Sequence, residues 1–342
     1  MPAFINEDNK LYVYGYNCHG QLGLGHNNDV YVLTEVKGFN VTSVFCKYNH
    51  TVFISDNKLF VCGYNACGQL GLDHNNNVNI PIKIKKFNVT SVSCGSNYTV
   101  FISDNKLFTC GFNFHGQLGL GHNNNVNIPT EVEGFNVTSV SCGSNYTAFI
   151  SDNKLYVCGN NNRGQLGLNH YNSVNTPIQV EGFNVTSVFC GYNHTVFISD
   201  NKLFVCGYNA YGQLGLGHYY DSITIPTEVE GFNVTSVSCG DHYTAFISDN
   251  KLFTCGYNAY GQLGLGHNNN VNIPTEVEGF NVTSVSCGDY YLTFISDNKL
   301  FVCGFNNIGL VHNRVNIPTE VPNFKPLIPY SNRFKKTKSA RN

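Results

Sequence analysis

Seven histidines recur at one position of an internal repeat, His26, His74, His122, His170, His218, His267 and His312, and imidazole is among the commonest metal ligands. A metal centre needs several such groups within about 2 to 2.5 Å of one ion. One histidine per unit spreads them apart, so structural or surface roles are expected and no metal is assigned. The neighbouring GQLGLG invites comparison with a phosphate-cradling loop, yet no Lys-Ser or Lys-Thr follows it and no helix pattern begins there. Its glycines suit positive φ in a loop. Twelve of the 14 cysteines form two series, Cys46, Cys94, Cys142, Cys190, Cys239, Cys287 and Cys62, Cys110, Cys158, Cys206, Cys255, Cys303. Lying on strands with one strand between them, the two series would stand about 9.5 Å apart, beyond the roughly 7 Å that a disulfide spans. They read as buried, reduced thiols. No serine, histidine and acid set and no carboxylate pair stands out. Neither an enzyme nor a cofactor is expected.

The whole chain supports that reading. It has 342 residues, 42% of them apolar and 13% aromatic, which is ample for a core. Only 12% are charged and the net charge is -2, so no chain-wide attraction to nucleic acid or to an anionic membrane is expected. MPAFINEDNK lacks the basic start and apolar run of a signal peptide, and no 18-residue apolar run occurs. An intracellular location, cytoplasmic or nuclear, follows as the expectation. The NVT triplets at Asn40, Asn88, Asn136, Asn184, Asn233 and Asn281 then read as strand and turn residues, not glycan sites.

The elements that position these residues follow from the repeat. DNKL begins at 8, 56, 104, 152, 200, 249 and 297, a period of 48 residues and once 49. Within one unit, residues 136–142, 147–151, 155–159 and 176–180 are short β-rich runs, the second and third joined by Asp152-Asn153, a pair that tolerates a tight hairpin. Pro177 demands an edge or a strand start for the fourth. Four-stranded antiparallel units that are apolar on both faces cannot bury themselves singly, and must stack around an axis. The expected fold is all-β: a seven-bladed β-propeller over residues 1–331, followed by a basic tail over 332–342. The chain starts at what would be the second strand of a unit. Residues 321–331 align with the first strand and are expected to close the ring.

SVSCGSNYT, DNKLFTCG and GFNFHGQLGLG resemble the regulator of chromosome condensation repeat, a seven-bladed propeller family. The likeness runs from residue 2 to about 331. Trp-Asp repeat propellers fit worse, since the chain has no Trp. Where the family favours Trp before the glycine ending the third strand, this chain has Cys or Tyr14. Where it favours His before the Thr of the second strand, His50 and His194 keep it and Tyr98, Tyr146, Tyr243 and Tyr291 replace it, as packing substitutions. The seventh unit has lost four residues and its GQLG, which implies a shortened loop. The resemblance implies protein partners. Family members include an exchange factor for a nuclear small GTPase that also binds nucleosomes, and modules of ubiquitin ligases and trafficking regulators. That exchange factor carries a longer wedge-like insertion, which this even spacing does not accommodate.

Differences among the seven units point to a surface. In an antiparallel blade the first and third loops emerge on one face, the second loop and the interblade connection on the other. The second loop is Asp-Asn-Lys in every unit. The first and third loops vary and introduce Tyr48, Phe114, His115, Arg163, Tyr192, Tyr211, Asp241, Tyr260, Asp289 and Tyr290. Aromatic and arginine side chains are typical of binding hot spots, so a protein partner is expected there, a small GTPase being one candidate. Looser steric demands on that face would also produce the variation. The tail cations Arg333, Lys335, Lys336, Lys338 and Arg341 suit an import signal or a phosphate contact to nucleic acid or a nucleosome, and equally a solvated terminus.

Overall fold

A computed structural model describes residues 3–6, 8–47, 49–305 and 314–321. These residues form strands and turns, and no helix among them is long and apolar enough to cross a membrane. The strands build a seven-bladed β-propeller. Six antiparallel sheets have four strands each in sequence order, and the first, residues 3–36, has three among the described residues. The segment expected to supply its innermost strand lies, apart from Val321, outside the described residues. So do His312, the shortened loop of the seventh unit and the basic tail.

The fourth blade illustrates how the sequence folds. Val137–Cys142, Tyr146–Ser151, Lys154–Gly159 and Val174–Val180 run from the axis outward. Ser151 pairs with Lys154 across a turn whose two central residues, Asp152 and Asn153, have φ of 50° and 59°. That conformation gives the hairpin the right twist, and Asp and Asn tolerate it better than most residues. Thr147 sits opposite Cys142 on one side and Cys158 on the other, so the two cysteine series do flank an intervening strand. All the cysteines are free thiols.

The core lies between blades. One apolar cluster fills each joint, for example Tyr98, Val100 and Leu107 of the third blade against Val137, Val140 and Phe149 of the fourth. The last joint closes the ring: Ile295, Leu300 and Val302 pack with Tyr14, Phe4 and Leu33 of the first blade. Among the described residues, the phenylalanine of each interblade connection seals a joint edge-on, as Phe135 does against Phe149 at 5.0 Å and Tyr156 at 4.8 Å.

Polar groups fasten the joints as well. The Gln117 carbonyl of the third blade's GQLGLG accepts from Thr147 Oγ1 at 2.8 Å and from Cys158 Sγ at 3.6 Å in the fourth. At Gly116 φ is +80°, and a Cβ there would overlap the Asn175 backbone. The substitutions at the start of the second strand also span blades. Tyr98 and Tyr146 each donate their hydroxyl to the carbonyl of the equivalent residue one blade on, Tyr146 and His194. The shorter His50 reaches only Thr99 Oγ1, at 3.2 Å.

Candidate functional site

The frame of the third loop is local and repeated. Asn113 is fully buried; its Oδ1 accepts from Leu118 N at 2.9 Å and its Nδ2 donates to the His122 carbonyl at 2.8 Å. His122 Nδ1 accepts from Asn124 N at 3.2 Å. His26, His74, His170 and His267 do the same in their own loops. Each of these histidines organises its own turn.

The first and third loops share a face. In blades two to seven the residue following the third-strand glycine donates its backbone N–H to the first loop of its own blade: Tyr64 to Asn49, Phe112 to Asn97, Asn160 to Asn145, Tyr208 to Asn193, Tyr257 to His242 and Phe305 to Tyr290. Around the axis the first loops also bond to one another, Ser96 N to the Ser144 carbonyl, Ser144 N to Tyr192 and Tyr192 N to Asp241, at 3.0 to 3.2 Å. This ladder ties the first-loop tips of blades three to six to one another within the ring.

On that ring the variable side chains gather unevenly. Over blades five to seven the rings touch in sequence: Tyr208 and Tyr211 at 5.7 Å, Tyr211 and Tyr257 at 5.0 Å, Tyr257 and Tyr260 at 6.1 Å, Tyr260 and Tyr290 at 4.9 Å. Phe305 continues the band at 5.7 Å from Tyr260. His242 lies within it, 5.3 Å from Tyr211 and 5.6 Å from Tyr192. A guanidinium stacks on the band at two places: Arg163 over Tyr208 at 5.0 Å, also paired with Asp221 at 2.6 Å, and Arg314 over Tyr260 at 4.8 Å. Phe114 and His115 form a separate patch with Phe112 on the third blade, Phe114 being 67% exposed. Tyr48 lies outside the described residues.

Asp241 departs from a freely exposed contact: it is 6% exposed and bonded to Lys47 Nζ at 3.3 Å, a link from the second blade to the sixth across the axis. Burial pulls the Lys47 ammonium toward neutrality, but Asp241 and Asp289 outweigh it and hold its pKa above the usual lysine range. Burial, and next the Asp241 carboxylate, push Asp289 up against the opposing pull of Lys47. His242 is held below the ordinary histidine value by burial, with Asp289 opposing. Burial also lowers His115.

Lys47, His242, Arg314 and the aromatic following each third strand were not among the candidates read from the sequence. For the last there was a signal: Tyr16, Tyr64, Phe112, Tyr208, Tyr257 and Phe305 are aromatic in six of seven units, Asn160 excepted. Such uniformity looks structural until the fold places it on the variable face.

A seven-bladed ring with GQLGLG joints also has known counterparts. The family model described as RCC1-like domain matches residues 10–338. The chain belongs to that family. Among solved structures, this RCC1-like chain is similar to human WBSCR16, at 23% identity over 91% of this chain and 93% of that one, with a TM-score of 0.81. It is similar to Prp20p from Saccharomyces cerevisiae at 20% identity, 94% and 88% coverage and a TM-score of 0.82, in work on the binding of Prp20p to Gsp1p and histones. The same yeast RCC1 protein bound to Kap60 gives 19% identity, 94% and 85% coverage and a TM-score of 0.82. At these identities the likeness concerns the fold. The sequence finds no match among curated proteins.

Proposed function

We propose that this RCC1-like chain is a non-enzymatic interaction propeller, at work inside the cell, that binds a protein partner through the face of its first and third loops. The observation that carries the reading is the continuous band from Tyr208 to Phe305, with Arg163 and Arg314 stacked on its rings. Large rings with polar tips, held rigid by contact with one another, offer contact area at little entropic cost. The opposite face repeats one Asp-Asn-Lys hairpin and offers no such variety. Affinity capture followed by mass spectrometry, comparing wild type with Tyr211→Ala plus Tyr260→Ala and with Lys202→Ala on the opposite face, tests the assignment. The tyrosine pair should lose its specific partner and Lys202→Ala should keep it; equal loss from both would sink the reading.

A regulator of nucleotide exchange on a small GTPase is the second reading. The likeness to Prp20p, which was studied for binding Gsp1p, favours it, while the even repeat spacing leaves no room for a long wedge. Acceleration of nucleotide release from any member of a small-GTPase panel would promote it over the first. Prp20p was studied with histones as well; loss of nucleosome binding on removing residues 333–342 would point to a chromatin role.

A further inference from the structure

The face opposite the loops repeats its hairpins but not its interblade connections. In blades three, five, six and seven the hairpin lysine is paired with a glutamate of the outer strand, Lys106 with Glu131, Lys202 with Glu228, Lys251 with Glu276 and Lys299 with Glu320, at 2.9 to 3.0 Å. Each pair is a diagonal contact across two strands, the glutamates standing opposite Phe108, Phe204, Phe253 and Phe301. In the second blade the residue opposite Phe60 is Lys83, so an ammonium stands where the acid that answers Lys58 would be. Two more exchanges adjoin it: Lys85 replaces the glutamate of Glu133, Glu181, Glu230 and Glu278, and Lys86 replaces a glycine. Lys86 keeps the glycine conformation, φ +77° against +89° to +91° at Gly38, Gly134, Gly182, Gly231 and Gly279, a strain that the glycines avoid. Ile84 N donates to the Leu59 carbonyl at 2.9 Å and Val89 N to the Asn57 carbonyl at 3.0 Å, so this connection lies along the hairpin that carries Lys58. The hairpin's acid, Asp56, already accepts from Asn40 Nδ2 and Ser55 Oγ. Beyond Asn88 the next hairpin adds Asp104, with Ser103 Oγ on its carboxylate. Lys83, Lys85 and Lys86 are exposed, and among the described residues none of the four lysines forms an ion pair.

We propose that the hairpin and connection of the second blade bind an acidic segment of a protein partner, one of its glutamates taking the place beside Lys58 that the chain's own glutamate fills in four other blades. Those four ion pairs show that the hairpin lysine holds a carboxylate in this geometry, which favours a carboxylate over a phosphate. A membrane surface or a long nucleic acid would also press on Glu133, Glu181, Glu230 and Glu278 of the same face, whereas a short acidic segment reaches the lysines without meeting them. Each exposed pair contributes little alone, so the four lysines act together, and binding weakens as salt rises. The site is separate from the loop face and stands whether or not that face takes a partner.

The test uses the full chain and a fluorescein-labelled hexaglutamate peptide followed by anisotropy at low salt, with hexaglutamine as the neutral control. Lys83→Glu restores the ion pair of the other blades and should weaken hexaglutamate about tenfold. Its thermal midpoint should stay at or above that of wild type, so poor folding cannot produce the loss. Lys251→Glu makes the same change of charge on the sixth blade and should leave the affinity unchanged, while Lys86→Gly should weaken binding severalfold. Equal affinities for Lys83→Glu and Lys251→Glu, or hexaglutamine bound as tightly as hexaglutamate, would overturn the proposal. Phosphatidylserine vesicles or a DNA duplex bound more tightly than hexaglutamate, and released by Lys83→Glu, would make a phosphate the ligand and overturn the acidic segment as occupant.

Discussion

His50 and His194 show what one residue does in this ring. Each is buried, its Nε2 near a threonine Oγ1 of the next blade, Thr99 at 3.2 Å and Thr244 at 3.1 Å. Thr99 Oγ1 itself donates to the Gln69 carbonyl, so the imidazole donates from Nε2 and its Nδ1 is left unprotonated. A second proton would be buried without a partner among the described residues. Burial accordingly lowers the two pKa values to about 4 and about 3. The folded values lie below the unfolded value near 6.5, so this contribution is complete above about pH 6.5 and is lost as pH falls toward the folded values. For His50 alone it amounts to roughly 3 kcal/mol. Tyrosine fills the same position in the third, fourth and sixth blades and bonds across the joint without titrating in this range. His50→Tyr plus His194→Tyr should therefore flatten the loss of stability between pH 6.5 and 4, read as thermal midpoints against pH; parallel curves for variant and wild type would refute this.

At the scale of the element, the GQLGLG loop works as a fastener between blades. Gly116 and Gly134 both have positive φ, +80° and +91°, but a Cβ at Gly116 would overlap the Asn175 backbone and one at Gly134 would meet nothing within 4 Å. Gly134→Ala should cost about 1 kcal/mol, the strain of a left-handed alanine. Gly116→Ala adds a clash between two backbones and should cost at least about 2 kcal/mol more. Chemical denaturation of the two variants measures the difference, and equal costs would mean that the loop does not bear on its neighbour. The strands and the Asp-Asn hairpins were legible in the sequence because each depends on residues within a few positions: β-branched runs, and a pair that accepts positive φ. The purpose of Gln117 and Gly116 was not legible, since their partners Thr147, Cys158 and Asn175 lie 30 or more residues away.

For the whole molecule the decisive feature is closure. Val302 in the joint between last and first blades and Val61 in the joint between second and third are each about fully buried. In a closed ring both joints carry load, so Val302→Ala and Val61→Ala should each lower stability by about 2 kcal/mol. An open ring would make Val302→Ala nearly silent in the same denaturation experiment. By itself the sequence determined the blade count, the four-strand unit and the face on which the repeats disagree, because a strict 48-residue period records each of these seven times or nearly so. Only the tertiary structure decided which variable residues meet. Tyr260 and Tyr290 touch, Phe114 and His115 stand apart from them, and Asp241 is drawn inward by Lys47 from the far side of the axis. Lys47 and Asp241 are 194 residues apart in the chain, and what joins them is the curvature of the ring, set by how seven apolar joints pack together and invisible within any one repeat.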